Sequence, residues 1–144
     1  MAEQILTGIF AGKEYDFLDA DKNVLFTLRF NPSDINIVHR YNEAVEYLNT
    51  LDLPEISADN GMKEFSAAVK DVEDQLTIIL DRLVNANIAE PIYSVMNPFS
   101  VLENGKFYIE EIIDSIGKII EKEMGVRTAK VQSRIKKYTA KYNR

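Results

Sequence analysis

Hydrophobic and polar residues follow two different periods along this chain, and the period changes at Pro32. Before Pro32, apolar stretches at residues 5–10, 15–18 and 24–30 are separated by polar or glycine-containing turns. The third stretch is rich in β-branched and aromatic residues, which favour strands. We therefore predict a small antiparallel meander of three strands, which needs a cover on one face to be stable.

After Pro32, apolar residues recur every three or four positions, which is the spacing of an amphipathic helix. Ser33 or Asp34 can cap the first helix, which we expect to run to about residue 51. Pro54 follows, and a proline is typical of the break between two helices.

Three further helices are predicted from the same spacing. The longest begins near Ser57 or Asp59 and runs to about residue 83, and its apolar stripe is the strongest periodic signal in the chain. A short helix covers residues 91–96, and the last core helix covers residues 107–124.

The predicted fold class is α+β, mainly helical. It consists of a small N-terminal antiparallel β-meander followed by a bundle of about four helices and a basic C-terminal helical tail. The length of 144 residues suits one domain, which we place at residues 1–125, with Gly125 capping the last core helix. Residues 126–144 form the tail, whose partial disorder the sequence leaves open. The residues expected in the core are Tyr41, Phe65, Val69, Leu76, Leu80, Ile112 and Ile116.

Charge is divided unevenly between the body and the tail. Residues 127–144 contain seven basic residues and no acidic one, so they carry +7 while the rest of the chain carries −13, for a net charge of −6. An acidic body repels nucleic acid, which argues against a nucleic-acid partner.

Three interpretations of the tail stay open. It can be a solvated helix end whose charge complements the dipole of the preceding helix. It can order on a protein partner through an apolar strip, or its lysines and arginines can contact phosphates. The candidate partner-binding residues are Val131, Arg134, Ile135, Lys136, Lys137, Tyr138 and Tyr142.

Catalytic, metal and cofactor chemistry find little support in the sequence. There is no cysteine, and His39 is the single histidine, so a zinc site of ordinary composition cannot form. Acidic residues at 16–21 resemble a calcium loop, but the twelfth position from Asp19 is Phe30 in place of glutamate, which favours a polar turn. No glycine-rich phosphate loop or nucleophile motif is present. We predict a protein that is not an enzyme and binds no cofactor, with paired carboxylates as the one catalytic route left open.

The sequence predicts a soluble, cytoplasmic protein. Its first residues lack the basic and long apolar regions of a signal peptide. Its apolar runs are far shorter than the roughly 20 residues needed to span a bilayer, so no membrane partner is expected. A homo-oligomer is compatible with the sequence, which does not specify the oligomeric state.

Two stretches of the sequence carry a resemblance to a known family. The first comprises FAGKEYDF at residues 10–17, NPSDIN at 31–36 and YNEAV at 41–45. The second comprises IYSVMNPF at 92–99, followed by a turn at Gly105 and a final helix. This order over residues 8–123 resembles the tail assembly chaperones of long-tailed bacteriophages that infect Gram-positive bacteria.

The resemblance implies a non-enzymatic role in the host cytoplasm. Members of this family bind the long, helix-rich tape measure protein, keep it soluble and recruit tail-tube subunits around it, and they are absent from the finished particle. Many occur in a short form and in a form extended by ribosomal frameshifting, and this chain would match the short form. Its basic tail departs from the family pattern.

Three other functions are compatible with the sequence. A virion component, such as a head–tail connector or a tail terminator, would remain in the particle. A small phage-encoded inhibitor could mimic DNA with its acidic body, although lysines such as Lys63 and Lys70 interrupt the acidic surface. A nucleic-acid-binding regulator could act through the tail.

Overall fold

The computed structural model describes residues 1–9, 12–51 and 61–142, with side chains described as far as residue 133 in the last range. Within these residues lie two strands and four helices: β1 (Lys13–Leu18), β2 (Val24–Phe30), α1 (Asn36–Asn49), α2 (Gly61–Leu83), α3 (Ala89–Tyr93) and α4 (Tyr108–Tyr142). The helices hold over half of the chain's residues. The predicted α+β, mainly helical class is therefore confirmed.

Strands β1 and β2 form an antiparallel hairpin whose inner face is aromatic. Phe17 lies opposite Phe26 and stacks on it with 4.9 Å between the ring centroids, and Tyr15 stacks on Phe30 at 5.0 Å. Phe26, Leu28 and Phe30 are buried, and β2 packs against α3. The helices thus supply the cover that a small sheet needs.

The predicted first strand is wrong for residues 5–9, and Phe10 lies outside the described residues. Residues 1–9 are all exposed and contain no strand. An alternating sequence forms a strand only where a neighbour accepts its backbone hydrogen bonds, and β1 pairs with β2 alone among the described residues. The meander of three strands is therefore corrected to a hairpin of two.

Helix α1 begins where the sequence predicts, shortly after Pro32. The backbone N–H of Asn36 donates to Asp34 Oδ1 at 3.0 Å, so the Asp34 carboxylate satisfies one of the free amides of the first turn. Ser33 has a different role, because its backbone N–H and its hydroxyl both donate to Asn31 Oδ1. The N-cap residue itself is Ile35, which makes no side-chain capping hydrogen bond, so Asp34 accepts from the position before the cap and Ser33 does not cap the helix.

Helix α2 supplies the centre of the core. Its predicted start at Ser57 or Asp59 lies outside the described residues, and the described helix begins at Gly61. It packs against α1 and α3. Five of the predicted core residues are confirmed as buried, whereas Tyr41 and Phe65 are partly buried against the core. The five are Val69, Leu76, Leu80, Ile112 and Ile116.

The connection between α2 and α3 is stabilised by the carboxylate of Asp81. Asp81 Oδ1 accepts hydrogen bonds from the backbone N–H groups of Ile88 and Ala89, both at 2.9 Å. These amides stand at the start of α3 and have no acceptor within that helix. The five-residue helix α3 is therefore anchored by a side chain of the preceding helix.

The first part of α4 completes the core. A stripe of large side chains is buried along three turns, and the Tyr108 hydroxyl donates to the backbone carbonyl oxygen of Ile92 at 2.8 Å. The stripe consists of Tyr108, Ile109, Ile112, Ile113, Ile116 and Ile120.

The predicted helix end at Gly125 is wrong, because α4 continues without a break to Tyr142. A glycine inside a helix costs only about 0.5–1 kcal/mol relative to alanine. Neighbours such as Glu121, Lys122, Ala129 and Lys130 are strong helix formers, which offset that cost.

We expect Leu76→Ala to lower the free energy of unfolding by about 2–5 kcal/mol, because Leu76 is fully buried and its truncation leaves a cavity. Ile78→Ala is the matched control, since Ile78 lies two residues further along α2 and is 70% exposed. Chemical denaturation should show a large loss for the first variant and little change for the second. Equal effects would mean that the buried face of α2 is assigned wrongly.

Stability should fall as the pH rises from about 10 to about 12. Burial raises the pKa of Tyr93 to about 12 and that of Tyr108 to about 12, from an ordinary value of 10.0. The unfolded chain releases these protons near pH 10, whereas the folded chain keeps them until about pH 12. The two tyrosines therefore contribute fully to the free energy of unfolding below pH 10, and this contribution is lost as the pH rises through their folded-state pKa. Melting temperatures across this range should fall less steeply for Tyr93→Phe than for the parent. An unchanged slope would contradict this assignment.

Candidate protein-binding surface

Helix α4 extends well past the core that it completes. Among the residues of α4 whose side chains are described, up to residue 133, the last buried one is Ile120, Met124 is partly buried, and residues 125–133 are all exposed. At 1.5 Å per residue, the part from residue 121 to the end of the helix at Tyr142 is about 33 Å long. We call residues 121–142 the projecting helix.

One apolar position of the projecting helix lies in line with the edge of the buried stripe. Val131 follows Ile120 by eleven residues, which is close to three helical turns, so the two positions differ by only about 20° around the helix axis. Val131 is 46% exposed, whereas Ile120 is 5% exposed. The side of α4 that is buried at Ile120 is thus open to solvent at Val131.

The predicted partner-binding residues all fall on the projecting helix. The helical backbone brings Val131, Ile135, Tyr138 and Tyr142 onto one face by their spacing of three and four. We call these four residues the apolar strip. The side chains of Arg134, Ile135, Lys136, Lys137, Tyr138 and Tyr142 lie outside the part of the chain whose side chains are described.

The base of the projecting helix is fixed by Glu123. Its carboxylate Oε1 accepts from Arg127 Nε at 3.0 Å, one turn further along the helix, and its Oε2 lies 3.7 Å from Lys13 Nζ on β1. Burial and the Glu123 charge raise the pKa of Tyr15, against a lowering effect of Arg127. Glu123 therefore joins the hairpin to the start of the exposed helix.

Helices α1 and α4 are in close contact at Gly117, which precedes Glu123 along α4. The Tyr41 ring lies against Gly117, so that a Cβ atom at position 117 would be 3.0 Å from Tyr41 Cε2 and closer still to the end of the ring. Burial raises the pKa of Tyr41, with Asp114 and Glu121 adding to the effect. Neither contact could be predicted from the sequence, because Gly117 and Glu123 each interact with a residue that is distant along the chain.

A groove of about 480 Å³ runs between β1 and α4. Its walls are the strand β1 on one side and three residues of α4 on the other: Ser115, Lys118 and Ile119. The groove lies on a different face of α4 from the apolar strip, since Ile119 is one residue, or about 100°, away from Ile120. The sequence predicted residues 15–18 as a strand and Asp16 as part of a polar turn, but it did not indicate a groove at these residues.

The acidic loop between the strands is a tight turn. Asp19 Oδ1 accepts from the backbone N–H groups of Asp21 and Asn23, both at 2.9 Å, and these hydrogen bonds lower the pKa of Asp19. The Asp19 carboxylate is therefore engaged with its own backbone, as predicted for a polar turn.

His39 is exposed on α1.

The described residues hold neither a metal-binding cluster nor a membrane-spanning helix. Residues 1–9, 12–51 and 61–142 contain no group of three or more histidine, aspartate or glutamate side chains placed to hold a metal ion. No helix in those ranges is long and apolar enough to cross a bilayer.

No protein-family model, curated protein or solved structure matches this chain. The basis for a functional assignment is therefore the geometry of the projecting helix together with the order of elements in the sequence.

We expect the same substitution at two glycines of α4 to have opposite effects. Gly125→Ala should stabilise the helix locally by about 0.5–1 kcal/mol, because no atom lies within 4 Å of the added methyl group. Gly117→Ala should destabilise the protein by about 1–3 kcal/mol, because the methyl group overlaps the Tyr41 ring.

Amide hydrogen exchange along α4 and thermal melting measure these two effects. Faster exchange around residue 125 in Gly125→Ala would mean that the glycine is a left-handed cap and that the helix ends there.

Proposed function

We propose that this protein is a non-enzymatic tail assembly chaperone of a long-tailed bacteriophage. Its client is the helix-rich tape measure protein, which it keeps soluble in the host cytoplasm, and it recruits tail-tube subunits to that client. The observation that carries the protein-binding role is the projecting helix, in which residues 125–133 are all exposed and Val131 lies in line with the buried Ile120 but is 46% exposed.

An exposed helix of this kind favours a helical protein partner. A single helix in water is only marginally stable, because most helical stability in proteins comes from packing one apolar face. A helix of the client could pack against the apolar strip as two amphipathic helices do elsewhere. Binding would then stabilise the projecting helix and shield apolar residues of the client from aggregation.

The charge pattern supports a protein client over a nucleic acid. Five of the basic residues of the tail follow one another by three or four positions, so their positions share one side of the helix next to the apolar strip, and the body carries −13. The five are Arg127, Lys130, Arg134, Lys137 and Lys141. Duplex DNA would be attracted to the end of the helix and repelled by the body. A protein client needs only apolar contact with charges around it.

The resemblance in the sequence selects the client. The order of elements over residues 8–123 is similar to that of phage tail assembly chaperones, whose partners are the tape measure and tail-tube proteins. The helical core and the hairpin account for this shared order, and the basic tail is the part that departs from it.

Co-expression with the tape measure protein encoded beside it tests the proposal. We expect the tape measure protein to become soluble and to co-purify with this chain. Ile135→Asp should reduce co-purification at least tenfold, because it places a charge in the apolar strip. Ile78→Asp is the matched control, since Ile78 is exposed on α2 away from the strip, and it should co-purify like the parent.

Salt and lysine substitutions separate the two kinds of partner. Binding through the apolar strip should survive 0.5 M salt, because screening weakens charge contacts and leaves apolar contacts in place. If Lys136→Gln with Lys137→Gln had the larger effect, and if duplex DNA bound tightly at physiological salt, a nucleic-acid role would replace this one. The protein should also be missing from purified mature virions, whereas stoichiometric presence there would favour a connector or terminator.

A further inference from the structure

The N-terminal segment, residues 1–9, does not line the groove beside β1 in the single chain, although the two are complementary. We propose that a second copy of this chain docks at the free edge of β1. Residues 3–9 of each copy enter the groove between β1 and α4 of the other, and add a third strand to its hairpin.

The groove is open along the edge of β1 with which no described residue pairs. One edge of β1 pairs with β2 from Lys13 to Leu18, so half of its backbone groups point to the other side. That side faces the groove of about 480 Å³, with Ile119 of α4 as the apolar part of its far wall. An open strand edge next to an apolar wall accepts an added strand, which gains backbone hydrogen bonds and side-chain burial together.

The N-terminal segment has the composition of such a strand. Ile5 is 81% exposed, Leu6 is 99% exposed and Ile9 is 79% exposed, so three large apolar side chains face water within five positions. Ile5, Thr7 and Ile9 alternate with Leu6 and Gly8, which is the period of a strand with one buried face. Residues 5–9 therefore have the sequence pattern of a strand but form no strand in the single chain.

The position of the N-terminal segment favours a second copy over the chain's own segment. Residues 1–9 are all exposed in the single chain, and none of them lines the groove beside β1. The chain's own segment therefore leaves the groove open to the same segment of another copy. Reciprocal exchange about a two-fold axis fills both grooves and closes the assembly at two copies.

Sedimentation of the full chain tests the assembly. We expect the parent to be a dimer at micromolar concentration, and Ile5→Asp with Ile9→Asp to be a monomer with unchanged helical content. Ile78→Asp is the control, because it puts the same charge on another exposed isoleucine, and it should stay a dimer. A monomeric parent at every concentration, or a double variant that remains a dimer, would overturn the proposal.

Cysteine cross-linking tests the location, since the native chain has no cysteine to interfere. Thr7→Cys chains carrying a size tag are mixed with untagged Asp16→Cys chains and treated with a short bifunctional maleimide. We expect a covalent heterodimer, and none when the second chain carries Lys63→Cys, which is exposed on α2 outside the groove. If the Thr7→Cys/Asp16→Cys double variant instead cross-links only within one chain, the segment occupies its own groove and the second copy is excluded.

Discussion

The fold depends on burial of the isoleucine-rich stripe that opens α4. Ile109, Ile113 and Ile116 are each no more than 1% exposed, and α1 packs against the same helix. Each fully buried side chain of this size contributes roughly 1.5–3 kcal/mol, so this stripe and the leucines of α2 supply much of the apolar burial. The hairpin, α3 and the Tyr41 contact at Gly117 all assemble around these two helices. Because residues 125–133 are all exposed while the helix continues, the same element provides both the core and an exposed surface.

Much of the fold could be predicted from the spacing of apolar residues. The periods gave β1, β2 and all four helices, and the buried positions of α2 and α4 followed from the same periods. The errors have two causes. At residues 5–9 the local pattern was that of a strand, but strand formation depends on a pairing edge that no local pattern specifies. At Gly125 a glycine was given the role of a helix cap, although the strong helix formers around it carry the helix onward.

The candidate site was predictable only in part. The spacing of Val131, Ile135, Tyr138 and Tyr142 placed an apolar strip on the tail, and the helical backbone through Tyr142 keeps these positions on one face. That Val131 lies in line with the buried Ile120 could be recognised only once α4 was known to be unbroken. The Glu123 contacts with Lys13 and Arg127, and the Asp81 contacts with α3, join residues whose pairing depends on the folded arrangement. In the sequence, Glu123 and Asp81 cannot be distinguished from exposed acidic residues.

An unbroken α4 also fixes the angle at which the apolar strip faces, relative to the body of the protein. Each residue of an α-helix advances by about 100° around its axis. One residue inserted between Ile120 and Val131 would therefore turn the strip by about 100°, toward a different side of the molecule, without changing its composition. A natural variant could keep every residue of the strip and still present it in the wrong direction. The number of residues between Ile120 and Val131 therefore determines which partner orientation the strip can accept.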